Sequence, residues 1–501
     1  MSNRASLLSD WLAQRIDRSN GQPIYQQLHR LLQQAILTRE LAAGAKVPSS
    51  RLLAAELGIG RNTVTHVYEQ LALEGYMLSA TGSGTFVAHS APHEFLFDDA
   101  PPAAIASCGT ASALSMRGAR LIAGAGVSRR QGGAFMPGVP DVSRFPSHVW
   151  SRLHAKYWRG PLPDLLTYAP GGGHARLRDA LAHYLRTSRS VRCAPEQIIV
   201  TTGIHQSIDL AARLLADPGD TIWTEDPCYW GVRSVLQVSG LDLKAIPVDA
   251  EGIAPTPADF ASPPKLMLVT PSHQYPLGMV MSLARRRMLL EYARQHRCWI
   301  IEDDYDSEFR YGSRPLASLQ GMDSNGQVIY VGSFGKTLFP GLRIGYVVVP
   351  EALAENFAMA SAELYREGQL LQQAVLAEFI EQGHFTTHIR RMRTLYCQRR
   401  DVMLETIVRR YGDALATAGA DAGLHLVLKL PKHVDDRALA IAALAEGIVV
   451  RPLSGYYAHL SDAESGLLIG YACVHDNDIA PAFDRLAQVI DRFVNPATHD
   501  L

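Results

Sequence analysis

The chain has 501 residues, of which 47% are hydrophobic and 19% charged, and its net charge is −1. This length predicts two or three domains, and the composition excludes a generally disordered chain. The balanced charge excludes a uniformly basic polymer binder, so any affinity for nucleic acid must come from a local surface.

Residues 1–90 predict a small helical domain that ends in a β-hairpin. The predicted elements are a helix over 24–36, a helix over 51–57, a helix from 61 to 75 and a hairpin over 76–87. Ser49 is placed to cap the second helix, and Gly58 suits its exit. Three helices and a hairpin, with a short turn before the third helix, are typical of a winged helix-turn-helix.

Polar residues cluster where the second and third of these helices begin. They are Ser49, Ser50, Arg51, Arg61, Asn62, Thr63 and Thr65. Helix N-termini present free backbone N–H groups that favour phosphate. We expect Asn62 and Thr63 to reach base edges and Arg51 and Arg61 to hold the DNA backbone. The alternative is that the polar residues only cap helices and face solvent.

The order of these motifs is also specific. The segments Pro23-Ile24-Tyr25-Gln26-Gln27-Leu28, Pro48-Ser49-Ser50-Arg51-Leu52-Leu53-Ala54, Leu57-Gly58, Arg61-Asn62-Thr63-Val64 and Tyr68-Glu69-Gln70-Leu71 resemble the DNA-binding domain of GntR-type bacterial regulators. The predicted partner is therefore double-stranded operator DNA. Gly82 and Gly84, at the predicted turn of the hairpin, would let the wing approach DNA closely.

Residues 91–133 are rich in Ala, Ser, Gly and Pro and contain few large apolar residues. This composition predicts a flexible linker. The linker separates a DNA-binding domain over 1–90 from an effector domain over 134–501.

The larger part alternates helical patterns with short apolar, β-prone runs. Such runs occur at 198–201, 266–269, 299–301, 328–331 and 346–349. Buried strands interleaved with helices predict an α/β fold with a mostly parallel sheet.

Two predicted strand-to-helix junctions and a third loop offer ligand contacts. Gly203 follows a strand and opens a helix, so the backbone N–H groups of Ile204 and His205 can hold a phosphate. Tyr229 follows another strand and would cover an aromatic ring. Tyr275 lies in the loop 271–278 after a third strand, where ligands bind in α/β sheets.

The segment 300–309 places several acids after a strand. With alternating side chains, Asp303 and Tyr305 share one face, so a carboxylate can meet a pyridine nitrogen while a phenol meets the ring hydroxyl. We expect Glu302, Asp304 and Asp306 to face solvent on the other side. A metal site is the alternative for this cluster, but the motif holds no histidine, and we predict no metal.

Lys336 lies in the Gly-rich segment 332–345. A lysine in a dry turn can lose its proton and form a Schiff base with an aldehyde. Ser333 and Arg343 suit a phosphate group. Together these residues predict a pocket for pyridoxal 5′-phosphate (PLP).

The segments from about 135 to 490 resemble fold-type I PLP enzymes of the aspartate aminotransferase class. This resemblance implies a sheet with helices on both faces and a smaller C-terminal α/β subdomain. It also implies that Tyr168 reaches the phosphate from a partner subunit, and hence a homodimer. A winged helix fused to such a domain, with Phe135-x-Pro137-Gly138-x-Pro140-Asp141 and Asp303-Asp304-Tyr305-Asp306-Ser307-Glu308-Phe309, resembles the MocR subfamily of GntR regulators.

Two positions depart from the aminotransferase pattern. Gly335 stands where a serine usually precedes the lysine, and Leu468 takes the place of the arginine that binds the substrate carboxylate. Arg451 is a substitute from another loop, or a surface residue. We therefore predict a DNA-binding regulator that senses PLP, an amine or an amino acid, with no certain catalytic residue. The alternative is an active aminotransferase with an accessory DNA-binding domain.

The remaining features concern location. The six cysteines form no Cys-x-x-Cys pair, which argues against a zinc site or disulfide framework. The N-terminus lacks the apolar core of a signal peptide, and no apolar run approaches the roughly 18 residues of a spanning helix. We expect a cytoplasmic protein that does not bind membranes.

Overall fold

The computed structural model describes residues 2–80, 84–89, 114–123, 132–160, 162–169, 171–312, 317–366 and 368–494. Two compact units, Met1–Ala113 and Leu114–Leu501, make up the chain.

The N-terminal unit contains four described helices and a two-stranded antiparallel hairpin. They are α1 (Ser2–Ala13), α2 (Ile24–Leu37), α3 (Ser50–Leu57), α4 (Arg61–Leu73), β1 (Met77–Ala80) and β2 (Gly84–Val87). The winged helix-turn-helix is confirmed. Helix α1 adds to the three predicted helices, and its Leu12 is fully buried in their shared core.

Buried aliphatic residues from every helix hold this unit together. Leu28, Leu53 and Val64 come from α2, α3 and α4 and are fully buried. Tyr68 donates a hydrogen bond from its hydroxyl to the backbone oxygen of Pro48, at 2.9 Å. This buried bond ties the segment before α3 to the middle of α4 and so helps to hold the two helices together.

One helix lies within the stretch predicted as a linker. Residues Met116–Ala123 form α5, which carries Leu121 and Ile122 beside two basic residues, Arg117 and Arg120. The low apolar content of 91–133 concealed this short amphipathic turn. Residues 91–113 and 124–131 of that stretch lie outside the described residues, and the linker boundaries stay a prediction.

The remaining elements belong to the C-terminal unit. The strands are β3 (Ile198–Thr201), β4 (Thr221–Asp226), β5 (Asp242–Asp249), β6 (Gly252–Ile253), β7 (Leu266–Val269), β8 (Trp299–Asp304), β9 (Val328–Ser333), β10 (Gly345–Val348), β11 (Thr417–Ala418), β12 (His425–Lys429), β13 (Arg451–Pro452) and β14 (Gly466–Gly470). The helices are α6 (Ser147–Trp158), α7 (Ala175–Arg189), α8 (Ile204–Leu215), α9 (Trp230–Val238), α10 (Pro257–Phe260), α11 (Leu283–His296), α12 (Leu319–Met322), α13 (Glu351–Tyr365), α14 (Leu370–Glu381), α15 (His384–Tyr411), α16 (Asp436–Ala445) and α17 (Asp476–Val494).

Eight of these strands form one sheet in the order β3-β10-β9-β8-β7-β4-β5-β6. Neighbours from β9 through β5 are parallel, while β10 runs antiparallel to β9 and β3. Alternate residues of β3 pack into two different apolar clusters, Ile198 and Val200 in one and Ile199 in the other. Both faces are therefore covered, and the predicted α/β fold with a mostly parallel sheet is confirmed.

A second sheet completes the fold. Its four strands are antiparallel in the order β11-β12-β14-β13. Helix α16 packs on β13 and β14, and α17 packs against α16. This sheet is the smaller subdomain that the resemblance implied.

The described residues contain neither a membrane-spanning helix nor a metal-binding cluster. None of the helices in the described ranges is both long and apolar enough to cross a bilayer. Within the same ranges, His, Cys, Asp and Glu side chains form no group of three or more placed to hold a metal ion.

Candidate functional site

A cavity of about 470 Å³ opens at the carboxyl ends of the parallel strands, within the size range of cofactor sites. Its walls are Met136, Pro137, Gly138, Val139, Ile204, Tyr229, Trp230, Tyr275, Asp303, Tyr305, Lys336, Pro340, Arg451 and Tyr456. Six of the residues predicted to hold a cofactor are thus brought together: Ile204, Tyr229, Tyr275, Asp303, Tyr305 and Lys336.

Lys336 follows β9, and its amine donates a 2.6 Å hydrogen bond to the backbone oxygen of Gly138. Gly138 has φ +69°, and a Cβ there would lie 2.7 Å from the lysine Nζ. A side chain at this position would strain the backbone and displace the lysine amine. Burial lowers the pKa of Lys336, against the attraction of Asp306 and Asp303. A lowered pKa favours the neutral amine, which is the nucleophilic form.

Asp303, on β8, presents a carboxylate to the same cavity. It is buried, and within the described part of the chain its side chain has no hydrogen-bond partner. Burial raises the pKa of Asp303 well above its ordinary value, and the nearby Asp304, Asp306 and Glu225 raise it further. A buried carboxylate without a partner is costly, so this position suits a ligand that brings a donor or a positive charge.

The expectation that Glu302, Asp304 and Asp306 face solvent is wrong. Glu302 accepts hydrogen bonds from two backbone N–H groups at the start of α12, each at 2.8 Å. Asp304 forms a buried ion pair with Arg189 at 2.7 Å, and Asp306 lies 3.0 Å from the ring of His273. Strand β8 lies inside a sheet covered on both faces, so alternation cannot send one set of side chains to water.

The groups predicted to hold a phosphate lie beside the cavity. Gly203 precedes α8, so the N–H groups of Ile204 and His205 lie in the first, unpaired turn. A Cβ on Gly203 would lie 3.9 Å from Nη1 of the exposed Arg343. The hydroxyl of Ser333 accepts a 3.1 Å hydrogen bond from the backbone N–H two residues later. Ile204 alone of these five is among the cavity walls.

Aromatic rings form one side of the cavity. Tyr275 makes edge contacts with Tyr229, Tyr305 and Tyr456, with ring centroids 5.8, 5.4 and 5.5 Å apart. Trp230 lies against Tyr229 at 5.0 Å. Such rings present flat apolar surfaces that suit a planar ligand.

Tyr168 does not line the cavity. Its side chain is 80% exposed, and the guanidinium of Arg366 lies 5.5 Å from its ring centroid. Its predicted role, in the pocket of a partner subunit, stays a prediction.

Arg451, which the sequence left between two roles, lies in the cavity wall. It pairs in register with Leu468, which is fully buried among apolar side chains. The sulfur of Met136 is 3.8 Å from its Nη2, and no carboxylate in the described ranges pairs with it. The cavity therefore holds a guanidinium available to an anionic ligand.

Several walls were not predicted as site residues. Met136, Pro137 and Val139 belong to a quoted motif to which no role was given, whereas Trp230, Pro340 and Tyr456 carried no sequence signal apart from neighbouring motifs. Trp230 directly follows Tyr229, so the same strand-end argument was available for it.

The residues predicted to contact DNA lie at the starts of α3 and α4. Arg51, Arg61 and Asn62 are exposed, and neither arginine pairs with a carboxylate in the described ranges. Ser49 caps α3 by accepting a 3.3 Å hydrogen bond from a backbone N–H. The sequence missed Lys46, which is exposed with its Nζ 5.6 Å from the ring centroid of Phe86 in the wing.

The other predicted DNA contacts differ in exposure. Ser50, Thr63 and Thr65 are half-buried, while Gly84 begins β2 and is exposed. Gly82 lies outside the described residues.

Comparison with known proteins covers both units. Residues 145–486 match the family described as aminotransferase class I and II, and residues 24–87 match the bacterial regulatory proteins of the gntR family. The chain is 41% identical to the probable rhizopine catabolism regulatory protein MocR of Rhizobium meliloti, over 91% of this chain and 92% of the relative. It is 32% identical to the HTH-type pyridoxine biosynthesis transcriptional regulator PdxR of Corynebacterium glutamicum, over 90% and 92%.

Among solved structures, the multiple substrate aminotransferase of Thermococcus profundus superposes with a TM-score of 0.68. The two share 24% identity over 78% of this chain and 100% of that one. This likeness shows the fold.

Proposed function

The chain belongs to the MocR subfamily of GntR-type bacterial transcriptional regulators. From this membership we propose that it binds PLP at Lys336 and that the occupant of this pocket changes its affinity for operator DNA. The aminotransferase class implies PLP dependence by family, and the gntR domain implies DNA binding. The observation that carries the proposal is the placement of Lys336 and the unpartnered carboxylate of Asp303 in one cavity.

Five of the wall residues would hold the cofactor. When bound, PLP supplies an aldehyde that reacts with primary amines. Lys336 would supply the amine for that bond, Asp303 would accept the ring N–H, and Tyr305 would contact the ring hydroxyl. Tyr229 and Tyr275 contact the ring through their aromatic surfaces. The buried donors and acceptors fit because Asp303 otherwise has no partner among the described residues.

The phosphate is assigned to the neighbouring donors. Arg343 supplies a charge, Ser333 a hydroxyl, and Ile204 and His205 the N–H groups of a helix start. The exposed ring of Tyr168 suits a contribution to a second copy, which supports the homodimer that we propose.

Arg451 indicates the effector class. A guanidinium in the wall of the cavity, with no carboxylate partner in the described ranges, favours a ligand that carries both a primary amine and an acid. The relative from C. glutamicum is named for pyridoxine biosynthesis. PLP itself is therefore the second effector to test.

In the DNA-binding unit, Asn62 and Thr63 read base edges, with Thr65 beside them, while Arg51, Arg61 and the hydroxyls of Ser49 and Ser50 hold phosphates. Lys46 adds a phosphate contact from the wing. The exposure of the two arginines and of Asn62 supports this assignment.

Helix α5 supplies a physical connection between the pocket and the linker. It packs against α9, whose first residue, Trp230, is also a wall of the cavity. Leu121 and Ile122 of α5 share a surface groove with His205 and Trp230. A ligand that moves Trp230 or His205 therefore changes the docking of α5, and a ligand shifts this equilibrium by its differential affinity for the two arrangements.

The test titrates the full-length protein with PLP and with amino acids while measuring binding to its own upstream DNA. Borohydride reduction followed by peptide mass analysis should place the cofactor on Lys336, and Lys336→Ala should remove both the label and the response. An unchanged DNA affinity under every addition would refute sensing, and an unlabelled Lys336 would refute the cofactor assignment.

Transamination is the second candidate, favoured by the presence of Lys336 and Arg451 in one cavity. Steady conversion of an amino acid and a keto acid by PLP-loaded protein would establish it. We expect single-turnover exchange without steady release of product.

A further inference from the structure

His273 contacts two residues of the segment after β8 through one ring nitrogen. Its Nδ1 lies 2.8 Å from the hydroxyl of Tyr305 and 3.0 Å from the nearer carboxylate oxygen of Asp306. His273 and Asp306 are buried, and Tyr305 is half-buried where it faces the cavity. The loop after β7 and the segment after β8 thus meet at one ring nitrogen.

The chemistry of the three groups decides where that proton lies. A carboxylate accepts hydrogen bonds and does not donate them, so Nδ1 of His273 must carry the proton that faces Asp306. Nε2 is buried and has no hydrogen-bond partner among the described residues. An N–H at Nε2 would be a buried donor without an acceptor, which favours the neutral ring protonated at Nδ1.

This arrangement sets the direction of the Tyr305 hydroxyl. Because Nδ1–H is shared between Asp306 and the phenol oxygen, that oxygen accepts, and its own proton points elsewhere. Tyr305 also lines the cavity that holds Lys336 and Asp303. We propose that His273 and Asp306 are positioning residues that fix Tyr305 as a hydrogen-bond donor toward the ring oxygen of PLP, an inference that rests on the proposed function.

The surroundings hold this geometry in place. A Cβ on Gly423 would lie 2.5 Å from both an Asp306 oxygen and Cε1 of His273, so the chain packs directly on the pair. The ring of His425 lies 5.9 Å from that of His273, and Tyr275 lies 5.4 Å from Tyr305. The pair therefore has no space to reorient without moving neighbouring backbone.

Other titratable groups face the same three side chains. The charged groups that interact with them are Asp303, Glu225, Lys336 and Arg310. The neighbouring rings are His425, Tyr275, Tyr311 and Tyr471. Asp306 therefore also acts on Lys336 directly through its charge, and the test must separate this direct effect from the effect through Tyr305.

The test measures the apparent pKa of the PLP–Lys336 linkage from absorbance spectra of the loaded, full-length protein over a range of pH. Wild type, Asp306→Asn, Tyr305→Phe and the double variant form a cycle. A donor to the ring oxygen favours the deprotonated linkage, so its loss raises this pKa. Removing the charge of Asp306 lowers it in either background.

In the Tyr305→Phe background we expect Asp306→Asn to show the charge effect alone. With Tyr305 present, the shift should be more positive by about 0.5 to 1 pH unit, the size of one hydrogen bond. His273→Asn keeps an N–H donor near the position of Nδ1 and should stay close to wild type. Circular dichroism and thermal unfolding verify that each variant is folded.

Equal shifts in the two backgrounds would overturn the proposal, because Asp306 would then act by charge alone. Absence of the linkage in wild type would instead overturn the proposed function. A His273→Asn variant that behaves like Tyr305→Phe would also count against the positioning role.

Discussion

Arg451→Met tests the effector class most directly. Methionine keeps an unbranched side chain in the cavity wall but removes the guanidinium, which has no carboxylate partner among the described residues. Hydrogen bonds to a charged group contribute about 1.5–3 kcal/mol, so a ligand carboxylate should bind about 10- to 150-fold more weakly. The affinity for an amine that lacks the carboxylate should change by less than about threefold, since such an amine makes no bond to the guanidinium.

The assay titrates PLP-loaded protein with an amino acid and with its decarboxylated amine, and follows displacement of Lys336 by absorbance. Arg437→Met is the matched control, because Arg437 is exposed on α16 and its Nε bonds the hydroxyl of Ser454 at 3.2 Å. This control substitution should leave the binding of both ligands unchanged. If Arg451→Met weakened both ligands equally, Arg451 would shape the cavity without recognising an acid, and the reasoning would be refuted.

Further predictions concern stability, pH and DNA. Arg189→Met leaves the buried Asp304 without its cation and should lower the free energy of unfolding by about 3–5 kcal/mol. Arg176→Met breaks an exposed ion pair and should cost less than about 1 kcal/mol in the same urea titration by tryptophan fluorescence; equal losses would contradict the burial argument. Burial raises the pKa of Glu225 from the ordinary 4.5 to about 7. The protonated carboxyl therefore contributes its full share to the free energy of unfolding below about pH 4.5, and this contribution is lost as the pH rises through about 7. Glu225→Gln should therefore gain stability relative to wild type between pH 5 and 7.5, and a constant difference would refute this assignment. Arg61→Ala should weaken binding to DNA of every sequence and reduce the slope of log affinity against log salt concentration by about 1. Asn62→Ala should instead reduce discrimination between the operator and sites with altered bases. Identical salt slopes for wild type and Arg61→Ala would argue against a phosphate contact.

The sequence predicted best those features that a short motif determines alone. Lys336, Asp303 and Tyr305 lie in local patterns at strand ends, and strand ends meet at one edge of a parallel sheet. The winged helix was predictable for the same reason, because Ser49 and Gly58 mark helix boundaries by local chemistry. Helix α5 was missed because eight residues with few apolar side chains give a weak periodic signal.

Long-range packing explains what the sequence did not predict. Asp304 was expected in solvent because alternation was applied as if β8 had one wet face, yet its partner Arg189 lies 115 residues earlier. His273 reaches Tyr305 from a loop that is 32 residues away in sequence. Arg451 enters the cavity from β13 of the second sheet. Local periodicity predicts none of these contacts, because each joins residues that are far apart in the sequence.

The origin of the cavity walls suggests why such a fold suits a sensor. Residues assigned to the cofactor come from the ends of strands in the eight-stranded sheet, which parallel neighbours hold in register. Arg451 and Tyr456 come from the four-stranded part, at and just after β13. A ligand that joins Lys336 on one side and Arg451 on the other therefore links two separately built parts. Its binding energy can favour one arrangement of those parts over another, whereas PLP alone, held as we propose, would contact mainly the first. An amine without an acid should consequently displace Lys336 yet leave operator affinity near that of the PLP-loaded protein.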